Sequence, residues 1–280
     1  MKYQNDIDKM NTNRNLFLMS LPIFVELLLQ LLVGNVDQMM VSRVSQPSVA
    51  AIVNANQIMN LVIIVLSMAS TAVTVILSQY LGAQDEKNAS RTCMVSLVLI
   101  GGVSLAATIL VFAGHTPLYR AIHVPEEVFD EASLYLLIVG AFILVQGLYL
   151  TFSAMIRAFA MVKEVMIISV IMNVMNIVGN AILINGWFGM PQLGAVGAAI
   201  STDISKLVGL ALMIGMFFKS RRVKMGMSYL RPFPVQILKN LCLLAIPTGV
   251  ESFSYNLSQM IILGIVNSFG TLVTVTKGYC

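Results

Sequence analysis

Several acidic and amide side chains lie in stretches of this sequence that are otherwise apolar enough to cross a membrane. Asp37 lies near the end of an apolar run that begins at Leu16, and Asn173, Asn176 and Asn180 share a second run. Insertion scales put the cost of an acid at the centre of a membrane helix at roughly 2.5 to 3.5 kcal/mol, and such an acid usually faces a bundle interior or an aqueous cavity. These residues predict a buried polar site for a proton or a hard monovalent cation.

The spacing of these residues predicts which of them meet. Asn173, Asn176 and Asn180 follow i, i+3 and i+7, which places them on one helix face, either for hydrogen bonds between helices or as the lining of a hydrated cavity. At about 1.5 Å per residue, Asp37, Asn180 and Thr202 all fall in the outer half of the membrane. We expect Asp37, Asn180 and Thr202, with Asp203 as a further candidate, to share one polar site that suits a proton or a hard monovalent cation such as Na+, with neither another metal nor a cofactor.

Four further residues are candidates for a polar cavity: Glu26, Asn173, Asp203 and Glu251. Asp203 and Lys206 are three residues apart, so mutual neutralisation is the alternative for Asp203. Glu26 and Glu251 fit either a helix interface or a titratable site. No Ser/His/Asp set, HExxH zinc motif or phosphate-binding loop is present, and we predict that the protein is not an enzyme.

The composition indicates what kind of fold must position these residues. Of 280 residues, 58% are hydrophobic and 11% are charged, whereas a soluble domain has about 25% charged residues. The chain is therefore predicted to be an all-α integral membrane protein whose first partner is the lipid bilayer. Its net charge of +4 does not indicate nucleic-acid binding, because the basic residues lie between apolar spans. Cys93, Cys242 and Cys280 have no metal or redox spacing.

About 20 apolar residues cross a bilayer. On this basis the sequence predicts seven spans, and small residues in Gly194–Ser201 predict close helix packing at the start of the sixth. Residues 114–132 are too polar to cross, and we expect a loop there with a short interfacial helix from about Pro125. The predicted spans are 16–40, 49–80, 92–113, 133–156, 165–187, 193–218 and 241–268.

The Lys and Arg residues predict the orientation of these spans. With the N-terminus in the cytoplasm, 13 of the 17 basic residues fall in inner segments and three in outer segments, and Lys206 lies within a span. Because inner loops are enriched in Lys and Arg, we predict a multi-pass protein of the cell membrane with a cytoplasmic N-terminus.

An internal repeat predicts the domain organisation. At a constant offset of 225 residues, Pro22 aligns with Pro247 and Glu26 with Glu251. We therefore predict a six-helix N-terminal lobe over 1–218, a basic cytoplasmic linker over 219–240, and the first helix of a truncated C-terminal lobe over 241–280. That seventh helix should pack outside the first bundle and expose an apolar face.

The chain resembles the multidrug and toxic compound extrusion (MATE) family over essentially its whole length. The resemblance implies one lobe of a pseudo-two-fold, twelve-helix transporter that exports amphipathic, often cationic, drugs in exchange for H+ or Na+ by alternating access. It also implies a cation site whose positions here are Asp37, Asn176, Asn180 and Thr202. The motifs that carry it are SLPIFVELLLQLLVGNVDQMMVSRV (Ser20–Val44), SQYLGAQD (Ser78–Asp85), AMIRAFAMVKE (Ala154–Glu164) and NIVGNAILINGWFGMPQLGAVGAAIST (Asn176–Thr202).

Two departures from the family pattern leave alternatives open. Position 180 is Asn, where many relatives have Asp, which leaves H+ and Na+ as alternative coupling ions. The chain ends after the seventh helix, so a missing second lobe is an expected partner alongside small-molecule substrates. A lipid-linked saccharide flippase of the same superfamily is a second hypothesis, although it would be expected to place several arginines within the spans. A non-transporting membrane fragment is the third.

Overall fold

The computed structural model of the protein describes residues 13–42, 46–189 and 191–279, and those residues contain helices and no β-strand. This confirms the predicted all-α class. Short 3-10 helices, Trp187–Gly189 and Met227–Leu230, lie on either side of α7. The α-helices, numbered in chain order, are α1 Asn13–Ser42, α2 Gln46–Gly82, α3 Glu86–Ala121, α4 Glu126–Ala141, α5 Ile143–Ala158, α6 Val162–Asn185, α7 Gly194–Ser220, α8 Val235–Asn267 and α9 Thr271–Tyr279.

Four helices of the described chain are individually long and apolar enough to span a membrane: α2, α3, α6 and α7. Helices α4 and α5 together are long and apolar enough to count as a fifth span, with a bend of 45° between them. In α1 and α8 the described residues give only shorter apolar segments, Ser20–Leu29 and Val235–Pro247. The protein is therefore a multi-pass membrane protein, and the division into six spans plus a seventh stays a prediction.

The predicted fourth span, 133–156, corresponds to two helices that meet at Phe142. Glycines flank this break. A Cβ added to Gly140 would lie 2.8 Å from the Val111 side chain of α3, and one added to Gly147 would collide with Ser104 of the same helix. Both halves of the broken span therefore approach α3 closely. Hydropathy averages over the two helices and does not report the change of direction between them.

Most of the loop expected over residues 114–132 is helical instead, whereas the helix expected from about Pro125 is present as the start of α4. Helix α3 continues to Ala121, and α4 begins at Glu126 after a short turn. Buried Tyr119 donates its hydroxyl to the Ala132 carbonyl at 3.0 Å, which ties the end of α3 to α4. Hydropathy measures the preference for lipid rather than for helix. A 36-residue helix of about 54 Å extends beyond a hydrocarbon core of about 30 Å, so its polar end is helical outside that core.

Helix α8 packs along α2 and contacts the end of α3. The Asn267 amide donates to Asn54 Oδ1 at 2.6 Å and to the Ile122 carbonyl at 2.9 Å, and its oxygen accepts from Thr274 Oγ1 at 2.9 Å. These buried hydrogen bonds join α2, α3, α8 and α9. Several large apolar side chains of α8 remain exposed, and the domain boundaries at 218 and 240 stay predictions. The most exposed of these side chains are Val235, Leu243, Ile246, Val250, Tyr255, Ile261 and Ile265.

Helices α6 and α7 approach each other through glycines. A Cβ added to Gly197 of α7 would lie 2.7 Å from the Leu183 carbonyl oxygen of α6, and one added to Gly179 of α6 would collide with Ser201 of α7. The predicted packing role of Gly194–Ser201 is thus confirmed at Gly197. Small residues let the two backbones come close enough for short polar side chains to reach across.

This close approach predicts different effects for two glycine substitutions on α7. Gly197→Ala should destabilise the fold by about 1 to 3 kcal/mol, because the backbone of α6 must move to admit the methyl group. Gly215→Ala is the matched control, since nothing lies within 4 Å of the added Cβ. Thermal unfolding of the detergent-solubilised chain, followed by circular dichroism, should show a lower Tm for Gly197→Ala alone. Equal Tm values for the two variants would contradict the close contact.

Candidate functional site

Three of the four predicted coupling residues meet where α6 faces α7. The Asn176 amide donates to Thr202 Oγ1 at 3.1 Å, and the Asn180 amide donates to Asn176 Oδ1 at 3.4 Å. Ser201 of α7 donates its hydroxyl to the Asn176 carbonyl at 2.9 Å. Asn180 is fully buried, and Asn176 is 6% exposed. The structure therefore forms a line of amide and hydroxyl groups between two helices, which we call the amide cluster (Asn176, Asn180 and Thr202).

The direction of the hydrogen bonds in the amide cluster determines what it offers to an ion. An asparagine that donates a hydrogen bond from its NH2 group still has a carbonyl oxygen that can accept one. The Thr202 hydroxyl oxygen accepts from Asn176 and has a second lone pair. Oxygen atoms from amides and hydroxyls are ligands for hard cations. Among the described residues there is no group of three His, Cys, Asp or Glu side chains that could hold a metal ion.

Asp37, the fourth predicted residue, lies in α1, and its side chain is outside the part of the chain that the structure describes. The same holds for the side chain of Glu251 in α8. The backbone of α1 is described and packs along α6. The position of Asp37 relative to the amide cluster can therefore be judged only from the register of α1 on α6.

A contact at Glu26 sets that register. Ser169 of α6 donates its hydroxyl to Glu26 Oε1 of α1 at 3.0 Å. Position 37 is eleven residues after Glu26, and Asn180 is eleven residues after Ser169. Eleven residues make about three turns and about 16 Å, so each pair shares one helix face. We propose that α1 and α6 run in parallel as alternate spans of the bundle, an arrangement in which position 37 would be level with Asn180.

Glu26, predicted as a cavity or interface residue, forms an ion pair. Arg157 of α5 contacts Glu26 Oε1 through Nη2 at 2.8 Å, the one salt bridge within 4.0 Å among the described residues. Glu26 is 3% exposed. Ser169, which bonds the same oxygen, also shares a 3.0 Å hydrogen bond with the Tyr149 hydroxyl. We call these four residues, Glu26, Arg157, Ser169 and Tyr149, the inner cluster.

Asn173 and Asp203 lie apart from these contacts. Both are buried, and the Asn173 amide nitrogen and both Asp203 carboxylate oxygens have no hydrogen-bond partner among the described residues. The neutralising pair expected between Asp203 and Lys206 does not form a salt bridge within 4.0 Å in the described chain, although the two charges interact at longer range. Neither residue is joined to the amide cluster by a hydrogen bond in that part of the chain.

Sequence reasoning missed two polar contacts. Arg157 was counted in a cytoplasmic connection, whereas the structure places it in the last turn of α5 with Glu26 as partner. The sequence contained an indication of this pair, because Arg157 follows an apolar run, and charged residues within membrane bundles usually pair with one another. Asn54 and Asn267 were not singled out, although each is an amide in an apolar helix, a residue type that often bonds between helices.

The sequence and fold match known proteins. The family model described as MatE matches residues 22–182. Over 265 residues the chain is 37% identical to the Uncharacterized transporter YisQ of Bacillus subtilis, covering 95% of this chain and 58% of that protein. It is 26% identical to the Probable multidrug resistance protein NorM of Thermotoga maritima, covering 90% of this chain and 54% of that protein. The chain thus spans somewhat more than half the length of these curated relatives.

Solved structures show the same fold. The chain superimposes with a TM-score of 0.81 on an inward-facing conformation of a multidrug resistance MATE family transporter of the MOP superfamily, at 21% identity, with coverage of 91% of this chain and 60% of that one. An outward-facing conformation of such a transporter gives a TM-score of 0.76 at 19% identity, with coverage of 93% and 64%. From the match to the MatE family model over more than half of its length, the chain belongs to the multidrug and toxic compound extrusion (MATE) family.

Proposed function

We propose that this chain is part of a cation-coupled antiporter that exports amphipathic, often cationic, compounds in exchange for H+ or Na+. The names of its relatives support the substrate class, since several of them are described as probable multidrug resistance proteins. The amide cluster supports ion coupling, because it gathers oxygen ligands inside a membrane bundle where polar groups are otherwise costly. Substrates and a second lobe are proposed partners, because the chain covers 58% of its 37% identical relative.

The register of α1 on α6 is the observation that carries this proposal. If α1 and α6 are parallel, it would put position 37, an acid, level with Asn180 and hence with the amide cluster. An acid among amide and hydroxyl oxygens can bind either a proton or a sodium ion. Desolvation disfavours the bare carboxylate, so a bound proton or cation removes an unfavourable buried charge. We propose Asp37, Asn176, Asn180 and Thr202 as the coupling site, with no cofactor and no further metal.

Binding of a proton or a cation at such a site can be coupled to transport through the conformation that each occupied state favours. The proton and the cation cannot both occupy the Asp37 carboxylate, and each occupied state can favour a different arrangement of α1, α6 and α7. An ion shifts the population of inward- and outward-open states only by its difference in affinity for them. Because Asn180 is neutral, the described part of this site contributes no second charge, and the coupling depends on Asp37 alone.

The two other hypotheses have less support. A lipid-linked saccharide flippase needs basic groups for a pyrophosphate, and Arg157, the arginine that the structure adds to the inner half of the bundle, is paired with Glu26. A non-transporting fragment would not need a coupling site, and the amide cluster has the composition of one.

Substitution of Asp37 should stop ion-coupled export. The chain can be joined to the second half of the Bacillus subtilis relative and expressed in cells loaded with an ethidium-type dye. Asp37→Asn should lower the initial export rate about tenfold or more, because no ion-linked population shift remains. Asn180→Ala should lower it about threefold, the effect of losing one neutral ligand. Dye efflux, normalised to the amount of protein in the membrane, is the measurement.

Asn240→Ala is the control for that experiment, because Asn240 accepts a hydrogen bond from Gln236 at the start of α8 and is not part of the amide cluster. It should export at the unsubstituted rate. If Asp37→Asn exported the dye as fast as Asn240→Ala, with the same dependence on pH and sodium, the coupling site would be wrongly assigned.

We also propose the cell membrane as the location, with a cytoplasmic N-terminus, from the distribution of Lys and Arg. In a cysteine-free background, Ser220→Cys at the end of α7 should resist a membrane-impermeant maleimide added to intact cells. His123→Cys, in the exposed turn between α3 and α4, should react readily. Labelling of Ser220→Cys and protection of His123→Cys would reverse the proposed orientation.

A further inference from the structure

The inner cluster contains a buried charge that its contacts satisfy only in part. Glu26 Oε1 accepts hydrogen bonds from both Arg157 and Ser169, whereas Glu26 Oε2 is buried and has no partner among the described residues. The Nε atom of Arg157 is likewise buried without a partner there. Stable arginine–carboxylate pairs usually use both carboxylate oxygens. Because Arg157 and Ser169 both bond Oε1 and the carboxylate is buried, Oε2 lacks the hydrogen bonds that water would give it.

Few other charges act on Glu26. From α5 it meets Arg157 and the Tyr149 hydroxyl, which is bonded to Ser169. Helix α2 contains no acidic or basic residue, and the charged side chains of α6 are Lys163 and Glu164, in its first turn. On α7 the charged residues within the helix, Asp203 and Lys206, interact with each other. The charge of Glu26 is therefore balanced by Arg157.

Arg157 can leave this pair without becoming buried and unpaired. Its side chain is 34% exposed, and it lies in the last turn of α5, next to water on the proposed inner side. The Arg157 guanidinium remains protonated throughout, because its affinity for a proton is far above that of any carboxylate. If Glu26 takes up a proton, the carboxylate becomes a neutral carboxylic acid, and the guanidinium can exchange it for water. The proton comes from the inner aqueous phase and returns to it.

We propose that Glu26 is a second proton-binding site of the bundle, at which a proton from the inner side competes with Arg157 for the carboxylate. The site lies about 16 Å from position 37 along α1, so it is separate from the coupling site. The same Glu26 carboxylate sets the register of α1 on α6 through Ser169. Proton binding there loosens the contact that places Asp37 beside the amide cluster. Its role in a transport cycle rests on the proposed function, but proton binding itself does not.

The release of Arg157 can be measured on the 280-residue chain in lipid nanodiscs without any transport. Phenylglyoxal modifies free arginine side chains, and mass spectrometry gives the extent of modification at Arg157 relative to Arg231, which is exposed in the connection before α8. The ratio cancels the intrinsic effect of pH on the reagent. In the unsubstituted chain we expect this ratio to rise about tenfold as the pH falls, the factor expected when a charge-assisted hydrogen bond is released.

Two variants separate proton binding from a structural role. Glu26→Gln has the shape of the protonated acid and should give a high ratio that does not change with pH. Asp203→Asn, which removes another buried acid of the bundle, should keep the profile of the unsubstituted chain. If Glu26→Gln loses its helical circular dichroism, Ser169→Ala replaces it and should shift the pH profile, because it removes one of the two donors to Glu26 Oε1.

A ratio that is independent of pH in the unsubstituted chain would overturn the proposal. So would a Glu26→Gln variant, or a folded Ser169→Ala variant in its place, that keeps the pH profile of the unsubstituted chain. Failure of the proposed function would look different: dye export would survive Asp37→Asn, while the modification ratio at Arg157 would still respond to pH.

Discussion

The hydrogen bond from Ser169 to Glu26 is the contact on which the polar architecture of the bundle depends. Helix α1 is largely apolar, and among its described residues Glu26 provides a buried carboxylate that is hydrogen-bonded to α6. Lipid provides no hydrogen bonds, and a buried polar group must find its partner in another helix. Position 37 follows Glu26 by eleven residues and Asn180 follows Ser169 by eleven, so two parallel helices in this register would place position 37 and Asn180 at the same level. On the proposed register, the inner cluster determines the level at which position 37 lies, whereas the amide cluster is held together by contacts between α6 and α7.

Close packing of α6 and α7 is the second requirement. Asparagine and threonine have short side chains, and a hydrogen bond from Asn176 to Thr202 forms only where the two backbones approach closely. Gly179 and Gly197 permit this approach, since a Cβ at either position would collide with the opposite helix. The two polar clusters therefore form different kinds of contact. The inner one includes an ion pair between two long charged side chains, and the outer one uses short neutral side chains across tight packing.

Much of this arrangement could be predicted from the sequence, because it follows from local periodicity. The i, i+3, i+7 spacing of the asparagines placed Asn176 and Asn180 on one face, and depth counting brought Thr202 to the same level. Contacts that depend on direction or on distant partners could not be predicted. The bend at Phe142 leaves no trace in average hydropathy, and the bond between Asn54 and Asn267 joins residues 213 apart. Arg157 was missed because a span boundary estimated from hydropathy ended one residue before it.

The central claim, that Asp37 of α1 meets the amide cluster at Asn180, can be tested by disulfide formation in a cysteine-free version of the chain. A disulfide forms only when the two Cα atoms lie within about 7 Å of each other. The register predicts rapid cross-linking of Asp37→Cys with Asn180→Cys under mild oxidation. It predicts none for Met39→Cys with Asn180→Cys, because position 39 lies on another face of α1. Cross-linking of the second pair, or of neither, would show that Asp37 does not face Asn180.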